Sequence, residues 1–235
     1  MCINMKKSAA IAGLAAVMAA GAVIYKAGKN NRNKDEYTLW EDTASFYDLK
    51  FLHSKKLYNK IIEMIGEELT PDMKVLELAA STGVVARGIS KYCGSIIASD
   101  FSERMIARAK AHGTPANLLW DVQDAEFLTY PEESFDAVVI VNALDTMTNP
   151  EAVMEQVYRV LNPGGLFIAP GAVNAPGFVS NTLNIMKSSI GYGSHSYWDY
   201  EEYVEMFEDY GFEVVRAEII EGRQPVSFVV AMKNE

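Results

Sequence analysis

The sequence predicts an α/β fold, a mostly parallel sheet with helices on both faces, finished by an antiparallel hairpin. Two observations predict it. Short apolar runs, "KVLEL", "GSIIAS", "NLLWDV", "DAVVIV" and "GLFIAPG", alternate with stretches of helical periodicity, as βαβ units require. The last two apolar runs, "FEVVRAEII" and "PVSFVVAMK", are joined only by "EGRQ", too short for a crossover helix and right for a hairpin.

The elements follow in order. Aromatic and apolar residues at helical spacing from Leu39 to Leu69 give two helices, broken near Leu52 to Ser54. "GVVARGISKY" is helical after the first strand. "SERMIARAKAH" is helical after the second, with Ser102 as its cap, and "NPEAVMEQVYRVL" follows the fourth with a proline just inside its start. The stretch from Val122 to Ser134 is less regular. Neither internal repeats nor low-complexity tracts interrupt the body.

At 235 residues and 49% hydrophobic content, the chain is long and apolar enough for one full α/β domain. Its charge is uneven. Residues 1–34 carry six cations and no acid, so within a net charge of -10 the remainder, 35–235, stands at -16. An acidic body repels phosphate backbones, which argues against a nucleic-acid partner. Cys2 and Cys93 make neither a disulfide framework nor a metal-ligand spacing, and no metal is expected.

Residues 8–25, "SAAIAGLAAVMAAGAVIY", are uncharged and mostly apolar. As a helix they would extend about 27 Å, just enough to cross a hydrocarbon core. A membrane anchor, a cleaved signal peptide and a buried helix all fit; the anchor is the reading adopted. Lys26, Lys29, Arg32 and Lys34 follow the span and outnumber Lys6 and Lys7 before it, which directs the body to the cytoplasmic side. The expected organisation is an anchor and basic linker over 1–34 and one domain over 35–235.

Between the first strand and its helix lies "VLELAASTGVVARG". Its small residues Ala79, Ser81 and Gly83 are spaced two and two, which departs from the G-x-G-x-x-G of dinucleotide sites and leaves a nicotinamide oxidoreductase a minor alternative. This loop resembles the first motif of class I S-adenosylmethionine-dependent methyltransferases, commonly "VLELGCGTG". The resemblance continues through Asp100, "VQDAEFL", "PEESFDAVV" and "RVLNPGGLFIAPG", and covers roughly residues 37–235. It is nearest to the type 11-like domains. It implies a Rossmann-like, seven-stranded sheet, S-adenosylmethionine as cofactor, and methyl transfer to a small-molecule or lipid and quinone-like acceptor. A protein that keeps the fold and binds cofactor without transfer is the alternative.

The resemblance also assigns residues. Asp100 would accept from both ribose hydroxyls, and Asp124, with Gln123 and the Ala125 amide beside it, would read the adenine. Phe101 and Met105 would pack on the base, Glu77 would orient the methionine amino group, and Asn142 with Ala143 would lie under the sulfonium. Ala79, Ser81 and Gly83 would form the turn, with amides beside Gly83 facing the carboxylate. Tyr47 would close over the cofactor. If the acceptor needs a base, Asp145, His195, Tyr192 and Tyr197 are the candidates. The missing glycines have a cost: should Ala79 or Ser81 need a left-handed backbone, each is strained by about 1–2 kcal/mol.

Overall fold

The computed structural model describes residues 54–173, 198–222 and 225–234. The first segment opens with helix α1 (Lys55–Glu68), whose buried Tyr58, Ile61, Met64 and Ile65 form one apolar stripe. Then come β1 (Lys74–Leu78), α2 (Val84–Ile89), β2 (Ser95–Asp100), α3 (Glu103–Ala111), β3 (Leu118–Val122) and β4 (Phe135–Ile140). The chain continues through α4 (Pro150–Val160), β5 (Leu161–Ile168), the short β6 (Gly171–Ala172), α5 (Tyr200–Asp209), β7 (Phe212–Ile220) and β8 (Val226–Lys233). The second predicted N-terminal helix is therefore α1; the first, with Tyr47, lies outside the described residues.

The helix starts follow their side chains. Ser102 accepts from the Met105 amide at 3.1 Å, as expected of a cap. Asn149 accepts from Ala152 N at 3.1 Å, with Pro150 in the first turn. A reciprocal capping box of Asp199 and Glu202 opens α5. Helix α2 is shorter than its apolar run suggested, passing into a 3-10 turn over Ser90–Tyr92.

The strands lie in the order β3-β2-β1-β4-β5-β8, with β7 on the outer edge of β8. Strands β1 to β5 pair in parallel, while β8 runs antiparallel to both β5 and β7. The sheet has eight strands where seven were expected. The extra one is a two-residue continuation: after Ala169 and Pro170, Gly171 and Ala172 rejoin the same edge of β8 that β5 occupies. Pro170 has no amide to donate, so the ladder breaks there and counts twice.

Alternate strand residues face two separate cores. Val75, Ile96, Ala137 and Val139 meet α1, α2 and α3, whereas Leu76, Leu78, Val138 and Phe167 meet α4 and α5. Both faces of the central strands are covered, so β2 and β4 are almost wholly buried, whereas the edge strand β7 carries Glu213, Arg216 and Glu218 and is partly exposed. Every strand from β1 to β4 points its carboxyl end the same way, and the turns at that end build the site.

Phe167 is fully buried, with ring centroids 5.2 Å from Phe207 and 5.6 Å from Phe212. Phe167→Ala is expected to cost about 3–5 kcal/mol in denaturant unfolding, because Phe207 and Phe212 lose their common neighbour.

Candidate functional site

The turn after β1 answers the question of the missing glycines. Ala79, Ser81 and Gly83 all have positive φ, at 52°, 54° and 77°. The alternate small residues thus occupy the left-handed positions that glycine ordinarily fills, and two of them do so with a β-carbon in place. At Gly83 that would fail: an added β-carbon would overlap the Trp120 ring. Trp120 is itself fixed, its indole donating to Thr114 Oγ1 at 2.8 Å.

Hydrogen bonds hold the strained turn. Ala80 N donates to Ser99 O at 2.9 Å, Gly83 N to Ala80 O at 2.8 Å, and Ser81 N to Asp100 Oδ2 at 2.9 Å. The other Asp100 oxygen accepts from Ser102 N at 2.9 Å. One buried carboxylate therefore ties the turn after β1 to the start of α3. A charge-assisted bond of this kind contributes about 1.5–3 kcal/mol, enough to offset the strain at Ser81. Arg87 closes the turn from outside, donating to Thr82 O at 2.9 Å and Ala109 O at 3.2 Å.

Beside the turn lies an open cleft of about 650 Å³, its solvent-filled mouth included. Ala79, Ser81, Phe101, Met105, Gln123, Asp124, Ala125 and Asn142 line it, joining residues predicted from four separate stretches of sequence. Glu126, Val141, Ala143, Thr146 and Met147 complete the wall. Of these, Thr146 and Met147 carried no sequence signal; they arrive through a 3-10 turn, Leu144–Thr146, after β4. Glu77, Gly83 and Asp100 lie close in sequence to lining residues but are not part of the lining. Asp145 is also off the wall, close enough to Tyr203 to raise its phenol pKa, although burial is the larger cause. His195, Tyr192 and Tyr197 lie outside the described residues, as does the apolar segment 8–25. Among the described residues no helix is long and apolar enough to cross a membrane, and no group of side chains has metal-ligand geometry.

Two polar atoms near the end of the central strands lack hydrogen-bond partners although buried, Glu77 Oε2 and Asn142 Oδ1. Both are acceptors. Burial pushes the Glu77 carboxyl well above its ordinary pKa; Arg87 opposes this and Asp100 adds to it. Asn142 has a left-handed backbone, φ 50°, and its amide donates to Pro170 O at 2.7 Å. Two orphaned acceptors and a strained residue at one strand end suit a cationic ligand.

Residues 76–169 match the family model of a methyltransferase domain. The chain is 35% identical over 111 residues to the ubiquinone/menaquinone biosynthesis C-methyltransferase UbiE of Hydrogenovibrio crunogenus, covering 44% of this chain and 43% of that protein. It is 33% identical over 135 residues to the same-named protein of Bordetella parapertussis, covering 54% and 52%. The matched segment thus spans about half the length of these curated relatives. In fold, an S-adenosylmethionine-dependent methyltransferase from Thermotoga maritima superposes with a TM-score of 0.68 at 21% identity, over 84% of this chain and all of that one. The [4+2]-cyclase SpnF superposes with a TM-score of 0.64 at 16% identity, over 75% and 81%. These likenesses establish the Rossmann-like methyltransferase fold, and the cyclase shows that this fold alone does not fix the reaction.

Two outcomes follow from the site. Ala79→Gly and Ser81→Gly are each expected to raise unfolding stability by about 1 kcal/mol in denaturant titration, since glycine relieves the left-handed strain. The Glu77 carboxyl, with its folded pKa raised, contributes full stability below the ordinary carboxylate value of 4.5 and loses it as pH rises through the raised value. Melting temperature should therefore fall across that window in the ligand-free protein, and Glu77→Gln, which cannot ionise, should flatten the profile.

Proposed function

We propose that this chain, which carries a class I methyltransferase domain over residues 76–169, is an S-adenosylmethionine-dependent enzyme that methylates a small apolar, quinone-like or lipid acceptor. The observation that carries the reading is the turn of three left-handed residues, Ala79, Ser81 and Gly83, held by Asp100, with Ala79 and Ser81 lining the cleft. A chain tolerates two strained non-glycine residues in one turn where the turn itself is needed.

The residues present fit the cofactor. Asp100 accepts from the Ser81 and Ser102 amides through its two oxygens, and the paired oxygens of a carboxylate suit the two ribose hydroxyls. Asp124, Ala125, Phe101 and Met105 all line the cleft, where the first two would meet the adenine edge and the last two would lie against the base. Glu77 and Asn142 supply acceptors toward the ammonium and sulfonium end. S-adenosylmethionine supplies an electrophilic methyl group on sulfur. The protein aligns the acceptor with that methyl and keeps water out, so no covalent protein intermediate is required.

On this reading the acceptor lies toward Val141, Ala143, Thr146 and Met147, a mostly apolar part of the lining that suits a hydrophobic ring. The UbiE relatives, named as quinone-biosynthesis C-methyltransferases, point the same way. Among the described lining residues only Asp124 and Glu126 have ionisable side chains, both on the adenine side. Methylation at carbon would then draw its base from the acceptor's own phenolate or from Asp145, His195, Tyr192 or Tyr197. The cofactor is a charged cytosolic metabolite, which supports a body over 35–235 on the cytoplasmic side, anchored by 8–25.

Asp100→Ala should weaken S-adenosylhomocysteine binding by about 1.5–3 kcal/mol in calorimetry, while Asp100→Asn, which retains one oxygen acceptor, loses less. A homocysteine-release assay over quinols, phenols and lipids should find turnover with the apolar ring acceptors. Binding without release from any of them would favour a cofactor-binding protein that performs no transfer. Full-length protein should sediment with membranes and resist protease added outside intact cells; soluble full-length protein would remove the anchor.

A further inference from the structure

The loop from Gln123 to Tyr130 puts Asp124, Ala125 and Glu126 on the cleft wall, yet its only regular feature is a bridge between Asp124 and Phe127. Helix α4 fixes it from the far side. Arg159 Nη1 donates to Tyr130 O at 2.8 Å and Nη2 to Leu128 O at 2.9 Å. The same guanidinium donates to Gln156 Oε1 through Nη2 at 2.8 Å and Nε at 3.3 Å, and that oxygen accepts from Leu128 N at 3.3 Å. Together the two side chains give Leu128 and Tyr130 the donors and acceptor that a neighbouring strand would give.

The loop is also closed on itself. Gln123 Oε1 accepts from the Thr129 amide at 3.3 Å and hydroxyl at 3.0 Å. Gln123 Nε2 and the Tyr130 hydroxyl both donate to Asp121 Oδ2, at 3.1 and 2.8 Å. At the tip, Glu126 Oε1 accepts from Asn149 N at 3.0 Å, the cap residue of α4. Both ends of α4 are therefore tied by hydrogen bonds to the loop that carries Asp124 and Ala125. A planar guanidinium serving two carbonyls fixes spacing and direction in a way that an ammonium cannot.

We propose that Arg159, with Gln156, is a positioning residue for base recognition: it holds the Gln123–Tyr130 loop at the spacing that lets Asp124 and the Ala125 amide discriminate a 6-amino purine. The proposal rests on the cofactor reading above. Hydrogen-bond recognition of a base edge tolerates displacements of only about half an ångström. Losing the clamp therefore lowers discrimination before it lowers packing, because Leu128 and Tyr130 stay buried in the core.

The test is calorimetry of the full-length protein with S-adenosylhomocysteine and with S-inosylhomocysteine, in which a carbonyl replaces the 6-amino group. The wild type prefers the adenosyl ligand. Arg159→Ala and Gln156→Ala each reduce that preference by about tenfold, the loss of one or two such bonds. Arg159→Lys restores part of it, since an ammonium reaches one carbonyl. Glu155→Ala, an exposed change on the same helix, leaves the ratio intact. Gln156→Ala keeps Arg159 on both carbonyls, so it reports even if Arg159→Ala does not fold. Equal weakening of both ligands at an unchanged ratio would overturn the proposal and leave Arg159 a structural clamp. A wild type that binds both ligands equally would also overturn it. A wild type that binds neither would overturn the cofactor reading itself, and this proposal with it.

Discussion

The Asp100 carboxylate is the constraint on which the site depends. Its two oxygens accept the Ser81 and Ser102 amides, so the turn after β1 and the start of α3 share one buried anchor at the end of β2. The carboxylate is almost fully buried, and it is retained in that setting because backbone donors meet it. The left-handed turn, the opening of α3 and the position of Met105 on the cleft wall all follow from that one group. Without it the strained Ala79 and Ser81 backbone would have much less to oppose its relaxation.

The sheet supplies the geometry that makes this possible. Parallel pairing of β1 with β2 and β4 brings Glu77, Asp100 and Asn142 to one end of adjacent strands. A buried carboxyl oxygen without a hydrogen-bond partner, Glu77 Oε2, is unfavourable in the ligand-free protein and favourable for a cationic ligand. The same burial that raises the Glu77 pKa would strengthen its attraction to an ammonium once both are shielded from water. Destabilisation of the empty site and affinity for a cation are two consequences of one arrangement.

Much of this was legible in the sequence because it depends on local signals. The apolar runs fixed strand order along the chain, Ser102 and Asn149 announced helix starts, and the two-and-two spacing of Ala79, Ser81 and Gly83 marked the turn. What was not legible depends on contacts between distant segments. Thr146 and Met147 reach the cleft through a 3-10 turn that has no periodicity to detect. The Arg159 clamp joins residues about thirty positions apart, and from sequence Arg159 is only a basic residue in the last turn of a helix. The sixth strand was missed because Gly171 and Ala172 merely extend β5 beyond a proline.

The central claim is that a turn with alanine and serine in glycine's positions binds an S-adenosyl ligand. Calorimetric titration of the full-length protein with S-adenosylhomocysteine and, separately, with NADH tests it directly. The account predicts one-site binding of the first and none of the second. Binding of NADH, or of neither ligand by a folded protein, would contradict it.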